Sequence, residues 1–550
     1  LVLSIAPLLV LSVFAFYLTF KAGQRGLFAF DQCIVFDGGY RVVSGQIPYR
    51  DFVMPFGPVT FWLQAFFFRL FGVSYFGYLV GAAAVNVLAA LCAVFVVRQL
   101  VPRSRFLSLV AGTLTAVWFY PPFGTPWVDQ TAFFFALLAL GAVVWGVISS
   151  DAGGWRTFAI AGCGCLAFLS FMSKQNVGAF IFLLYPVLIA VAHAGSWKRL
   201  FGRIGLFLGG FAGCAAAFIV WLHVRSDYAV FVQHFFEIPS RLGSKRIGAF
   251  AESWLGIARS YFGGRGPLVV SIMVWVSLAV SIWALVRVLS RRRERAIDTP
   301  DEASGSAHLS IVICLYLVVF QYLFTNTTLN QPENALGFFG ISFALAMGLL
   351  MRLTGGRAAG RYRAGLVLRT VMFAGIAAGV VLASVAGVGV AMDRRVHDIL
   401  RGASYNGPAE VERLEHLRWA EPTRIGGFNI SEASIVRLYE YLKQRDENFF
   451  VFPDFTIFYG IVGTPSPQPV LWFHRWVTYD PGSNTEIDER IVRDLKRNNV
   501  TIFILEQVAW FNTGKRLADF PCTKEYLMNN FARVGQIGIF SIHEKVGDQD

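Results

Sequence analysis

The sequence predicts a polytopic α-helical membrane protein that ends in a small α/β domain, and three observations lead there. The chain of 550 residues is 55% hydrophobic and only 15% charged, with a mean hydropathy of +0.54. Soluble domains carry about 25% charged residues. Apolar runs of about 20 residues, the length that crosses a bilayer, recur through residues 1–393. From residue 394 the long runs stop, and short apolar strands alternate with amphipathic helical stretches.

About eleven spans are expected. They lie near Leu1–Phe20, Tyr75–Val97, Phe106–Tyr120, Val128–Ser149, Thr157–Met172, Val177–Ala194, Ile204–Val224, Leu268–Leu289, Leu309–Phe324, Ala335–Met351 and Val367–Ala391. The first lacks a basic leading region and reads as a retained helix rather than a signal peptide. The pair flanking Lys174 reads as short, tilted or broken helices. Residues 61–72, "FWLQAFFFRLFG", are too short to span and suit a helix lying in the membrane interface.

Orientation follows from the basic residues. Arg98/Arg103/Arg105, Lys198/Arg199/Arg203, Arg291/Arg292/Arg293/Arg295 and Arg357/Arg361/Arg363 fall on alternate short connections. The positive-inside rule assigns these to the cytoplasm, and 291–307 reads as a solvated cytoplasmic loop. The connections 21–74, 121–127, 173–176, 225–267 and 325–334 then face outward, as does everything after the last span. This is the pattern of a multi-pass cell (inner/cytoplasmic) membrane protein with its C-terminal domain, 394–550, on the extracytoplasmic face. In that domain "SEASIVRLYEYLKQR" has helical periodicity with Ser431 as N-cap, "NFFVFPD" and "VTIFILE" read as buried strands, and "NTEIDERIVRDLKRNN" reads as a surface helix.

The net charge of +13 is explained by this topology. No basic patch with stacking aromatics stands apart, which argues against nucleic acid as a partner. Five of the seven cysteines lie in apolar segments and read as small hydrophobes. Cys163 and Cys165 have no second pair and no nearby histidine, against a metal site. His223, His234 and Glu237 match no strong ligand spacing. No metal site is assigned, and a divalent metal requirement stays open. There is no P-loop and no Gly-rich dinucleotide fingerprint.

Ionisable residues beside membrane helices are costly unless they are paired or used. Three outward-facing stretches carry them. "FDQCIVFDGGYRVVSGQIPYRDF" (30–52) holds Asp31, Asp37, Arg41, Arg50 and Asp51, "GTPWVDQTAFFF" holds Asp129 and Gln130, and "SFMSKQNVGAF" holds Lys174 and Gln175. Each has a bland reading. Asp37-Gly38-Gly39 suits a turn, Arg50–Asp51 a surface pair, Asp129 a helix cap and Lys174 a snorkelling side chain. Their coincidence on one face favours a site in which carboxylates and a lysine handle a phosphate-bearing substrate. "HRWVTYDPG" (474–482) reads as a loop of the α/β domain.

Residues 10–195 resemble a known family. Asp31-Gln32, Tyr40, Gly45, Pro48-Tyr49-Arg50-Asp51-Phe52, Pro55, Pro58 and "LFGVS" (70–74) are similar to the first outer loop of GT-C membrane glycosyltransferases. The nearest group is that of the bacterial protein O-mannosyltransferases and aminoarabinose transferases. Asp129–Phe133 and Lys174 are similar to two later motifs of that family. The resemblance implies a sugar donor carried on a polyprenyl phosphate, an acceptor (protein, lipid or glycan) on the outer face, and inversion at the anomeric carbon. It implies Asp31 as the general base. Asp51, Arg50, Tyr49, Asp129 and Gln130 would support donor or acceptor, and Lys174 and Gln175 would meet the donor phosphate. The chain departs from the pattern in three places. Gln32 stands where the family has a second acid, "MPFGP" replaces a Lys-Pro-Pro turn, and Gln175 follows Lys174 where glycine is common. These departures bear on sugar and acceptor identity.

Two rival readings remain in view. A transporter or flippase of a lipid-linked solute would show pseudo-symmetric halves with Gly/Pro-broken helices at mid-membrane. The charged residues here gather at one face instead. A non-catalytic GT-C relative would keep the fold without the second acid.

Overall fold

A computed structural model describes all residues except 1, 149–153, 247, 249–267, 295–301, 329–331, 356–361, 394–403, 422, 426–427, 508–512 and 547–550. The expected loops at 225–267 and 291–307, and the boundary at 393/394, lie wholly or partly outside the described residues.

Among the described residues, ten helices are long and apolar enough to cross a membrane. The first six helices of the chain are α1 (Val2–Gly23), α2 (Ala29–Val43), α3 (Val59–Phe71), α4 (Tyr75–Leu100), α5 (Arg105–Trp118) and α6 (Val128–Ile148). After them come α7 (Gly154–Phe171), α8 (Gln175–Phe182), α9 (Leu184–Ala192) and α10 (Trp197–Arg225). Three further long helices, Leu268–Glu294, Glu302–Thr328 and Tyr362–Asp393, and the shorter Phe339–Gly355 complete the bundle.

The eleventh expected span is cut short. Helix α5 has 14 residues, about 21 Å at 1.5 Å per residue. Ser104 caps its start by accepting from the Leu107 N–H at 3.2 Å, and Pro121-Pro122 follow its end and cannot continue it. One face of α5 is buried against α4, where Asn86 donates to Ala15 O, Thr19 Oγ1 and Ala116 O. That side chain ties α1, α4 and α5 together where no water can serve. Helices α8 and α9 form one broken span, and Pro186 explains the break, because its ring clashes with the carbonyl one turn earlier.

The connection between α1 and α4 contains a second correction. Asp37-Gly38-Gly39 is not a turn but the middle of α2. Asp37 and Arg41, one helical turn apart, form a fully buried ion pair at 2.9 Å. The two glycines let α3 lie close: a Cβ on Gly38 would fall 2.3 Å from the Phe61 ring, and one on Gly39 2.7 Å from Gln64 Cγ. Helix α3 is amphipathic, with Phe61, Gln64 and Phe68 buried and Phe66, Leu70 and Phe71 exposed, as an interfacial helix requires.

The C-terminal region builds a sheet. Strands β1 (Ser404–Pro408) and β2 (Arg418–Glu421) pair antiparallel, and β3 (Arg424–Ile425) and β4 (Phe428–Asn429) form a two-residue ladder. The main sheet has the order β5-β6-β8-β7, from β5 (Phe449–Phe452), β6 (Ile502–Glu506), β7 (Phe531–Ile537) and β8 (Phe540–Lys545). β5 and β6 are parallel, Phe449 opposite Ile502, and the helix Thr485–Arg497 lies in their crossover. Ser431 caps the helix Glu432–Arg445, accepting from the Ser434 N–H. The sheet region docks on the α1–α4 connection through backbone hydrogen bonds, Val53 N–H to Pro469 O at 2.7 Å and Gly26 N–H to Arg418 O at 2.8 Å. Arg41 joins the same seam, donating to Gln468 O and Ser466 Oγ.

Candidate active site

Asp31 lies in the first turn of α2, where the positive helix end favours a carboxylate. Its carboxylate makes no hydrogen bond or ion pair with a described residue, and it keeps some solvent exposure. Burial pushes its pKa up to about 8, with the charges of Asp129 and Asp454 adding to the rise and Lys174 opposing it. Those three groups are therefore its electrostatic neighbours.

Asp129 occupies the first turn of α6 and is fully buried. It forms an ion pair with Lys174 Nζ. Lys174 sits at the N-cap of α8, its ammonium 5.4 Å from the centre of the Phe324 ring and its side chain 15% exposed. An accessible cation held by a buried carboxylate is a site for an anionic group. Gly57 brings the 55–58 turn onto this corner: a Cβ there would fall 1.8 Å from the Met172 carbonyl oxygen.

The third contribution comes from the sheet region. Asp454 follows β5, and Arg516 grips it with two parallel hydrogen bonds of 2.8 and 2.7 Å. Arg516 also donates to Phe473 O at 3.1 Å and lies 5.5 Å from the ring centre of Phe30, the residue before Asp31. Glu506, at the end of β6, accepts from the backbone N–H groups of Asp454 and Phe455. Burial and the Asp454 charge raise the Glu506 pKa to about 8. His474 packs on Trp472 at 4.6 Å and Phe30 at 5.4 Å. Burial, with the Arg246 and Arg516 charges, lowers its pKa to about 4, so the ring is neutral.

Of the residues expected from the sequence, Asp31, Asp129 and Lys174 come together. Gln130 is buried beside them in α6, its carbonyl oxygen without a donor among the described residues. Gln175 is a strut: its amide donates to Pro55 O at 2.8 Å and Phe235 O at 2.7 Å, so neither N–H is left for a phosphate. Arg50 and Asp51 pair with each other at 2.7 Å. Asp51 also accepts from the Ile47 N–H, and Arg490 donates to Arg50 O. These contacts fasten a turn to the helix Thr485–Arg497. Tyr49 is fully buried, its hydroxyl donating to Phe56 O. Gln32 is structural. It accepts from the Phe28 N–H at 2.7 Å and donates to Thr125 Oγ1 at 2.9 Å. Asp454, Arg516 and Glu506 were not found by sequence reasoning, and the one local hint was the acid directly after a buried strand in "FPDF".

His234 is buried, its ring bonded to Thr478 O, and His223 stacks on Tyr228. Among the described residues no group of three or more His, Cys, Asp or Glu side chains is placed to hold a metal ion.

The chain is a helical membrane bundle that meets a mixed sheet, with Asp31, Asp129 and Asp454 near the seam. No protein-family model and no curated protein matches the chain, and the likeness lies with solved structures. ArnT from Cupriavidus metallidurans bound to undecaprenyl phosphate is similar over 99% of both chains, with a TM-score of 0.55 and 12% identity. Its apo form is similar over 98% of this chain and 97% of that one, with a TM-score of 0.50 and 13% identity. The oligosaccharyltransferase of Archaeoglobus fulgidus in complex with Zn and sulfate is similar over 97% of this chain and 73% of that one, with a TM-score of 0.50 and 12% identity. At such identities the likeness shows the fold.

Proposed function

We propose that the protein is an inverting glycosyltransferase that moves a sugar from a polyprenyl phosphate to an acceptor on the outer face of the cell membrane. The observation that carries this reading is the Asp31 carboxylate, without a hydrogen-bond or ion-pair partner among the described residues, in the electrostatic field of the Asp129–Lys174 pair. The fold is shared with a protein crystallised with undecaprenyl phosphate. In the reaction an acceptor hydroxyl attacks the anomeric carbon and gives its proton to Asp31. The new acceptor O–C1 bond forms as the C1–O bond to phosphate breaks, and attack opposite the leaving group inverts the centre. Asp31 also stabilises the oxocarbenium character of the transition state. The phosphate leaves with an added negative charge, which Lys174 stabilises while Asp129 holds the lysine in place. A donor anchored in the bilayer accounts for the many spans. Basic residues on alternate connections, all on one side of the membrane, support an outward-facing position for this end of the bundle.

Asp31→Asn tests the assignment. In membranes supplied with an undecaprenyl-phosphate-linked sugar, transfer should fall by about a hundredfold or more while insertion is kept. Full activity in that variant would falsify the role of Asp31. A transporter would move labelled lipid across a vesicle and form no glycosidic product.

A further inference from the structure

Four large aromatic side chains meet around Trp472, from four separate parts of the chain, one of them Phe30, the residue before Asp31. Trp472 lies 5.2 Å from Phe30, 5.5 Å from Phe56 and 6.1 Å from Trp127, between ring centres. These are packing distances, yet the four residues keep 6–7% of their surface open, whereas Trp118 and Phe36 in the neighbouring cores keep none. The Trp472 indole N–H is buried and has no acceptor among the described residues. A buried donor left without a partner is costly and calls for a ligand acceptor. His474 adds the complementary group. Its Nδ1 lies 2.7 Å from the Arg475 carbonyl oxygen, which can only accept, so Nδ1 carries the proton. The neutral ring then leaves Nε2 as an acceptor.

We propose that Trp472, with Phe30, Phe56, Trp127 and His474, forms the subsite that holds the donor's sugar ring. The inference rests on the transferase reading above. A saccharide offers both surfaces this site lacks: C–H groups on one face, which pack on aromatic rings, and hydroxyls at its rim, which donate and accept. Indole N–H and imidazole Nε2 are uncharged and suit hydroxyl groups. Position selects the donor's sugar over the acceptor. Phe30 adjoins the base, Asp31, and Trp127 lies two residues from Asp129, which holds Lys174. The ring joined to the phosphate and attacked at its anomeric carbon must lie between those two points. The sheet region, through Trp472 and His474, thereby reads the sugar, while the bundle handles the phosphate.

The test compares binding of undecaprenyl phosphate with that of undecaprenyl phosphate bearing one hexose or pentose, using the purified full chain in lipid nanodiscs. The wild type should bind one of the sugar-bearing lipids more tightly than the bare lipid. Trp472→Phe, which keeps a ring and loses the N–H, should weaken only the sugar-bearing lipid, by about fivefold. Trp472→Ala should weaken it by about tenfold or more and leave the bare lipid unchanged. Sugar-lipid affinity equal to wild type in both variants overturns the subsite, as does an equal loss of both lipids in a variant that melts normally. A wild-type chain that binds neither lipid overturns the transferase reading and this inference with it.

Discussion

Replacing Asp31 by Asn separates a reacting carboxylate from a structural one, because the two roles predict opposite changes in stability. Asp31 titrates near 8 in the folded chain against an ordinary 3.8. Between those values the folded protein holds a proton that the unfolded chain has released. Stability therefore falls as pH rises, by about 1.4 kcal/mol per unit. From about pH 5 to about pH 7 this one group costs about 2.7 kcal/mol, and the loss levels off above about pH 8. Asn does not titrate. The variant should melt above the wild type at neutral pH, by a margin that narrows on acidification, while losing transfer. Thermal unfolding of both proteins in one detergent at several pH values measures the margin. A variant that melts below the wild type at neutral pH would refute the reasoning, since Asp31 would then be an ionised group with stabilising partners.

The same titration governs rate: kcat/KM for the wild type should rise with pH to a plateau above about 8, where the base is ionised in the free enzyme. Lys174→Met should cut turnover by about a hundredfold, and adding Asp129→Asn should restore melting temperature without restoring turnover. Arg41→Met leaves Asp37 buried without its cation and should cost about 3–5 kcal/mol, read as lost thermal stability and partly regained in the Asp37→Asn/Arg41→Met double variant. Gln32→Glu introduces the acid that the resemblance would place here but loses the amide donor to Thr125. It should lower stability by about 1–3 kcal/mol and give no gain in transfer.

Much of this architecture is legible in the sequence because it is written locally. Spans show as length and hydropathy, the Ser431 cap as one residue before a periodic run, and β5 and β6 as short apolar blocks. Asp31, Asp129 and Lys174 are legible because a charge at the end of an apolar segment needs a reason. What escapes is non-local. Gly38-Gly39 looks like a turn until Phe61 and Gln64 of α3 are seen filling the space they leave. Asp454 and Arg516 are 62 residues apart, and nothing near either predicts a buried pair beside Asp31. Arg50 and Asp51 fit the resemblance and Gln175 departs from it, yet the polar atoms of all three are engaged in holding turns together. Gln32 breaks the pattern on paper and turns out to cap α2 and anchor Thr125.

The central claim is tested most directly by following one anomeric centre. Membranes containing the wild-type chain, given an undecaprenyl-phosphate-linked sugar of known configuration, should release undecaprenyl phosphate and yield a glycoside of opposite configuration. Membranes with the Asp31→Asn chain should release none above background. A glycoside of retained configuration, or release undiminished without the Asp31 carboxylate, would contradict the account.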